Sequence, residues 1–300
     1  MVMNVLSLFN GMSTGHTALD NVGIKVGKYY SSEIKAAAIK LTQHHYPNTI
    51  QLGDVTKWKE WDIDWKSIDM VLSGSPCQDL SIAGKRKGLE GERSGLFWVF
   101  VDILNYIKEL NPNVLFLQEN VGSAPKLDVG IMSRALGVYP VRINSKLVTA
   151  QLRDRYYWSN IRTAPDGLFG DIVTDISQPK DRKIMFKDIV QGGAVKSDKA
   201  GTLIEGCYKM FIKDEDKQDK YLKKVTEQGY QTPPLINEES KVRTVNKVEM
   251  CRLQGFPDDW CNILTEVEAG SLLGDGWTLP IIEHIFSYII KEKNEKQRDG

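Results

Sequence analysis

Through its first 120 residues the chain alternates short β-rich apolar runs with helical patterns, and each apolar run ends in a polar or glycine-containing stretch. Residues 3–9 (MNVLSLF), 28–32 (KYYSS), 49–52, 69–73 (DMVLS) and 113–117 (NVLFL) read as strands. Residues 14–21, 34–44 and 96–110 read as helices, the second stopping before Pro47 and the third at Asn111-Pro112. Strands alternating with helices imply an α/β fold, a mostly parallel sheet with helices on both faces. In such a sheet the strand carboxyl ends share one edge, and ligands bind there. Five stretches follow these strands: residues 9–15, Glu33, Asp54, Pro76-Cys77-Gln78 and Glu119-Asn120. They are far apart in the chain, and the topology predicts that they converge on one rim.

After about residue 160 the alternation fades and Gly, Pro, Lys and Asp become scattered. A charge run at 214–224 (DEDKQDKYLKK) has the texture of solvated surface. Regular pattern returns at Val242 and continues to an amphipathic segment at 280–291. The expected organisation is therefore a first domain over 1–161, a smaller irregular module over 162–240, and a return to the first domain over 241–300. No run approaches the length of a membrane span, and the start MVMNVLSLFNGMSTG has no basic n-region, so neither membrane insertion nor a signal peptide is expected. Four scattered cysteines make no disulfide framework and no C-x-x-C zinc pattern, which suits a reducing compartment. A metal site at His44-His45 is not expected. The formal net charge of zero excludes a globally cationic binder but leaves room for a local basic face.

Between the first strand and helix lie Phe9, Asn10, Gly11, Met12, Ser13, Thr14 and Gly15. Glycines let backbone approach a ligand, and the free N–H groups of a helix start can bind a carboxylate. An acidic residue after strand two (Glu33) can hold a ribose diol, and one after strand three (Asp54) can accept from an adenine amino group. Sugar, adenine and carboxylate together suggest S-adenosylmethionine. A dinucleotide would call for a tighter G-x-G-x-x-G turn. Cys77 stands in a turn, between Gly74-Ser75-Pro76 and Gln78-Asp79, where a thiol can act as a nucleophile; a free cysteine is otherwise most often an inert buried side chain. The following glycine-rich stretch, 80–95, carries Lys85, Arg86, Lys87 and Arg93 and suits a loop closing over a polyanion. Residues 146–149 read as a further strand leading into Gln151-Leu152-Arg153-Asp154-Arg155. Two arginines at i, i+2 on a strand would share a face.

Taken together and in order, these residues resemble the cytosine-C5 DNA methyltransferase family over nearly the whole chain. Leu8-Phe9-Asn10-Gly11 through Gly15 is similar to its first cofactor motif, and Ser32-Glu33 and Gly53-Asp54-Val55 to the next two. Gly74-Ser75-Pro76-Cys77-Gln78, with Ser81 and Gly84 through Gly88, resembles the catalytic motif and its loop. Glu119-Asn120-Val121, Gln151-x-Arg153-x-Arg155, and Arg243, Glu249 and the run 252–257 (RLQGFP) complete the set. Two departures stand out. Gly274-Asp275-Gly276-Trp277-Thr278-Leu279-Pro280 replaces the bacterial Gly-Asn-Ser-Val and is closer to the animal de novo enzymes. Ala83 stands where some members carry a serine that enters the duplex behind the flipped base.

The resemblance implies a Rossmann-like methyltransferase sheet with a small target-recognition domain over 162–240, and a DNA (cytosine-5-)-methyltransferase of bacterial or phage type. It implies catalytic roles for Cys77, Glu119, Arg153 and Arg155, with Pro76 and Gln78 beside them. S-adenosylmethionine, leaving as S-adenosylhomocysteine, would be held by residues 9–14, Glu33, Ile34, Asp54, Val55, Ser75, Asp275, Gly276 and Trp277. Duplex DNA would be met by Ser81, Lys85, Arg86, Lys87, Arg93 and Thr202, the last from a Thr-Leu pair with Leu203. Residues 160–245 carry 15 basic and 14 acidic side chains, so this module should specify through base edges more than supply bulk affinity. A monomer in the cytoplasm of a bacterial or phage-infected cell is expected, and any cognate restriction endonuclease would act without a stable complex. Two rivals are a relative acting on a tRNA cytosine and a catalytically dead DNA-binding relative. The recognition module and basic loop favour duplex DNA over the first, and the presence of both Cys77 and Glu119 speaks against the second.

Overall fold

The computed structural model describes residues 2–76, 95–167, 170–203, 235–238 and 241–298. Cys77, Gln78, Ser81, Ala83, the basic residues 85–87 and Arg93, and the charge run at 214–224 lie outside them. The described chain forms two compact units.

The first unit comprises residues 1–143, 154–178 and 282–300. Its elements run β1 (Val2–Leu8), α1 (Thr14–Asn21), β2 (Lys25–Ser32), α2 (Ala36–His45), β3 (Ile50–Gln51), β4 (Met70–Ser73), α3 (Leu96–Leu110), β5 (Leu115–Val121), α4 (Lys126–Leu136), β6 (Val141–Asn144), β7 (Asp154–Ser159), β8 (Thr163–Asp166) and β9 (Asp171–Thr174). Seven strands make one sheet in the order β3-β2-β1-β4-β5-β7-β6. Pairing is parallel from β3 through β5, and β7 lies antiparallel to β5. This is the α/β architecture read from the alternation. The β4 strand is buried at every position, as expected for a parallel strand covered on both faces. α3 buries Phe97, Phe100, Val101, Ile103, Leu104 and Ile107, one stripe at helical spacing, against a core that includes Leu6, Leu8, Val71, Phe116 and Trp158. It ends where Asn111 N–H returns to the Ile107 carbonyl and Pro112 forbids another turn.

The order of connection matters for the site. The chain moves from β1 outward through β2 to β3, then returns to the other side of β1 with β4 and β5. The reversal falls between β1 and β4, the place where such sheets leave a crevice at their carboxyl edge. Leu8 pairs with both Ser32 and Ser73, and Ser73 with Gln118, so the ends of β2, β1 and β4 form one row with Gln118 of β5.

Three sequence expectations are corrected. β5 does not stop at residue 117. Its antiparallel ladder with β7, from Leu117↔Ser159 to Val121↔Arg155, carries Gln118, Glu119 and Asn120 within the strand. Residues 146–149 are not a strand. The Asn144 side chain accepts from Lys146 N–H, and the Ser145 carbonyl accepts from Val148 and Thr149 N–H, so a short 3-10 turn over Ser145–Leu147 forms. Arg153 therefore precedes β7 and does not share a strand face with Arg155.

The second unit comprises residues 144–153 and 179–281, with β10 (Leu235–Glu238) antiparallel to β11 (Lys241–Thr244), then α5 (Lys247–Gln254) and α6 (Glu266–Asp275). The last helix, α7 (Leu279–Arg298), begins in it and runs on into residues of the first unit. These units are cut elsewhere than at 161/162 and 240/241. The β8–β9 hairpin stays with the first unit because Tyr139 exchanges backbone bonds with Ile172 and Thr174. α5 and α6 stay with the second because Gln254 and Arg153 bond to the backbone at the end of α6.

Glu249 is fully buried at the start of α5. It accepts from Arg243 Nη1 and Nη2 at 2.7 and 2.9 Å and from the N–H groups of Gln191 and Asn246 at 2.8 and 2.9 Å. Burial alone would raise its carboxyl, but these donors outweigh burial and hold it below its ordinary value. α5 then ends at Gly255, whose left-handed φ of 79° closes the C-cap while Phe256 N–H bonds to the Cys251 carbonyl.

A Cβ at Gly255 would lie 2.3 Å from Cδ of Pro280, part of a ring that cannot swing aside. At Gly137, the corresponding cap of α4, a Cβ meets nothing within 4 Å. Gly137→Ala should cost only the left-handed strain, roughly 1–2 kcal/mol. Gly255→Ala should add overpacking of roughly 1–3 kcal/mol to it. Urea unfolding of the two variants should rank them in that order; equal losses would refute the close packing at Pro280.

Candidate functional site

The rim of the first unit gathers what the sequence had scattered. The loop from β1 to α1 passes through three left-handed residues, Phe9, Gly11 and Ser13, with φ of 56°, 55° and 58°. Two of these are not glycine, and such conformations persist only where surroundings enforce them. Two sets of bonds do so. Glu33, just past β2, accepts from Gly11 N–H at 2.8 Å through Oε2, and through Oε1 from Ile34 and Lys35 N–H at 2.8 and 2.9 Å. Beneath the loop, Asn10 Nδ2 donates to Ser13 Oγ at 2.8 Å and to Thr42 Oγ1 at 3.2 Å, while its Oδ1 accepts from Tyr29 Oη at 3.0 Å.

The expected cofactor residues accordingly divide. Phe9 is half-buried, Glu33 is half-exposed, and Ile34 is 74% exposed, unusual for an isoleucine. Asp54 is exposed, its Oδ1 accepting from the N–H and the hydroxyl of Thr56 at 2.9 Å each, which holds its carboxyl below the ordinary value. The side chains of Asn10, Met12, Ser13, Thr14 and Val55 are instead buried, so these positions offer a ligand mainly backbone. Ser13 makes no side-chain cap for α1, and the start of a helix is a place where an anion can bind.

Farther along the row, β5 presents Glu119, and β7 sets Arg155 two rungs away. Arg155 Nε lies 2.8 Å from Glu119 Oε1, both side chains nearly buried. Gln118, on the opposite face of β5, donates from Nε2 to Ser75 Oγ at 2.9 Å and to the Glu119 carbonyl at 2.8 Å. The segment Ser75-Pro76, leading into Cys77, is thus tied to the strand that carries Glu119. Sequence reading missed Gln118 because it stood in a polar run. The period-two alternation of a strand would have separated it from Glu119.

In the second unit Arg153 is buried, and its guanidinium donates to the carbonyls of Leu203, Gly274 and Gly276 at 2.9, 3.1 and 2.8 Å. Gln254 Nε2 donates to the Leu273 carbonyl at 2.5 Å, and its Oε1 accepts from Thr278 Oγ1 at 2.8 Å. Asp275, Gly276 and Trp277 are therefore shaped by a clamp from residues 153 and 254. Arg153, expected among the catalytic residues, is engaged with backbone. The Thr202 hydroxyl donates to the Leu152 carbonyl at 2.5 Å, so in this arrangement its proton is not available to a phosphate. Among the described residues no group of three or more His, Cys, Asp or Glu could hold a metal ion, and no described helix is long and apolar enough to cross a membrane.

Known proteins share this fold. A solved methyltransferase from Entamoeba histolytica, EhMeth, superposes with a TM-score of 0.69 over 98% of this chain and 99% of that one, at 14% sequence identity, and shares the fold. The orphan methyltransferase M.SPRI of Bacillus phage SPR is 33% identical over 206 residues, which are 64% of this chain but only 43% of that protein. The type II methyltransferase M2.BsuMI of Bacillus subtilis (strain 168) is 27% identical over 305 residues, covering 92% of this chain and 71% of the relative. The C-5 cytosine-specific DNA methylase model matches residues 3–132 and 143–291, and the chain belongs to that family.

Proposed function

We propose that the protein is a DNA (cytosine-5-)-methyltransferase that moves a methyl group from S-adenosylmethionine to C5 of a cytosine flipped out of duplex DNA. The observation that carries this reading is the Glu119–Arg155 pair, held at 2.8 Å on the carboxyl side of the sheet and tied through Gln118 to the segment that leads into Cys77.

The rim residues fit the cofactor. Glu33 is pre-oriented by three N–H groups and keeps lone pairs for a ribose diol. Exposed Ile34 beside it and half-buried Phe9 offer apolar surface to an adenine, and Asp54 retains Oδ2 for its amino group. The uncapped start of α1 suits the carboxylate of the methionine moiety. When bound, the cofactor supplies an electrophilic methyl on a sulfonium centre.

Cytosine C5 alone is too weak a nucleophile to take that methyl. The Cys77 thiolate adds to C6, the C5–C6 double bond opens, and electron density shifts onto C5. Glu119 hydrogen-bonds N3 and the exocyclic amine and so stabilises the addition. Arg155 holds Glu119 in place and reaches O2 of the ring. After C5 is methylated, loss of the C5 proton to a base and elimination of the thiolate restore the aromatic ring and free Cys77. The ring is stacked in a duplex, so it must first be flipped out at a cost of a few kcal/mol. Phosphate contacts from Lys85, Arg86, Lys87 and Arg93 offset this and make binding salt-dependent. The module at 162–240 reads the target sequence.

Cys77→Ser should abolish turnover and leave cofactor and DNA binding largely intact. With 5-fluorocytosine at the target, no proton leaves C5 and the wild type should be trapped as a covalent complex visible on a denaturing gel. Turnover by the variant, or no adduct with the wild type, removes Cys77 as nucleophile. Separately, Glu33→Ala should weaken cofactor binding by about 10- to 150-fold, the loss of a charged hydrogen bond of roughly 1.5–3 kcal/mol. Unchanged affinity by calorimetric titration would take Glu33 out of the site.

A further inference from the structure

We propose that Tyr29 and Thr42, which stand outside the motifs named in the sequence analysis, are positioning residues for methyl transfer, acting through Asn10 on the β1–α1 loop that receives the cofactor. This rests on the reading of that loop as the cofactor site. Tyr29 Oη donates to Asn10 Oδ1 at 3.0 Å, which fixes which way the amide faces. The amide nitrogen must then donate downward, to Ser13 Oγ and Thr42 Oγ1, and those two hydroxyls lie 2.8 Å apart and share a further bond. Asn10, Ser13, Tyr29 and Thr42 are all buried, so no water substitutes for a lost partner.

The network acts where the backbone needs it. Asn10 lies between two of the left-handed residues, and Ser13 is the third. Ser13 in that conformation begins α1, and its carbonyl accepts from Thr17 N–H at 3.1 Å and from Thr17 Oγ1 at 3.1 Å. Fixing Asn10 and Ser13 therefore fixes the direction of the helix start and of Gly11 N–H, which meets Glu33. Tyr29 is itself braced: His16 stacks between Tyr29 and Tyr46, with centroids 4.4 and 3.8 Å away, and Tyr46 Oη donates to Thr17 Oγ1 at 3.0 Å. Burial pushes His16 down to about 4 and Tyr46 up to about 12, and raises Tyr29 as well. The three rings are thus uncharged across the neutral range; Asp20, whose Oδ2 lies 4.0 Å from His16 Nε2, has its carboxyl raised by burial.

Tyr29→Phe and Thr42→Val remove one hydroxyl each with little change of volume. Calorimetric titration of the full chain with S-adenosylhomocysteine, well below the melting temperature, should show each variant weakened roughly 3- to 30-fold. Thr42→Ser should stay within about twofold of wild type, and the double variant should lose less than the product of the single losses, since both act through Asn10. At saturating cofactor kcat should recover most of its wild-type value, so the defect lies in KM for the cofactor. A merely structural role would lower the melting temperature and leave the affinity of the folded protein unmoved. Wild-type affinity in folded Tyr29→Phe and Thr42→Val overturns the inference. Should Tyr29→Phe not fold, Thr42→Val and Thr42→Ser make the same comparison. A wild type that binds no S-adenosylhomocysteine would instead overturn the cofactor reading on which the inference rests.

Discussion

Parallel pairing of β1 with β2 on one side and β4 on the other is the constraint on which the site depends. Because these strands run the same way, the loops that follow them emerge along one edge. Because the order reverses between β1 and β4, the loops on either side of that seam diverge and leave room between them. The residues after β1, after β2 and after β4 need no mutual attraction to meet there. Backbone hydrogen bonding and the burial of both sheet faces put them in place.

What remains is to hold the loops in one conformation, and here polar side chains outweigh apolar ones. Two non-glycine residues with positive φ, Phe9 and Ser13, cost on the order of 1–2 kcal/mol each. Net hydrogen-bond contributions of about 0.5–1.5 kcal/mol each, several converging on Asn10, Ser13 and Glu33, are enough to offset that strain. The same design recurs in the second unit, where Arg153 and Gln254 fix the backbone of residues 273–276, and Glu249 is satisfied by four donors. Not every buried polar atom is satisfied. At the carboxyl ends of β4 and β5, Ser73 Oγ, Gln118 Oε1 and Asn120 Nδ2 are buried with no hydrogen-bond partner among the described residues, all within two positions of Ser75 or Glu119. Other such atoms among the described residues, His16 Nδ1 and Ser31 Oγ among them, lie on the side of β1 and β2.

Much of this was legible in the sequence, for identifiable reasons. The helices at 14–21 and 96–110 were read to the residue, the second because apolar spacing and the stop at Asn111-Pro112 agreed. The strand ends next to Glu33 and Ser75 were legible because β-rich runs gave way abruptly to polar residues. Glu119 was identified but placed after its strand, since the antiparallel partner that extends β5 lies more than thirty residues on, out of reach of a local reading. Residues 146–149 carry the Val and Thr of a strand, yet the side chain of Asn144 wins them for a turn. The hairpin at 163–174 has loop-like texture, and its bonds to Tyr139 and to Ser159 of β7 assign it to the first unit. Tyr29 and Thr42 sit in segments whose pattern reports burial but not which hydroxyls meet.

The activity proposed for this chain is methylation of C5 of cytosine in duplex DNA at a defined sequence. The most direct measurement is to express it in a host without DNA methylation and map 5-methylcytosine across the DNA by bisulfite sequencing. Methylation is expected at one recurrent short sequence, present with the wild type and absent with Cys77→Ser. Folded wild-type protein that leaves the DNA unmethylated, or that methylates cytosine in tRNA alone, would contradict it.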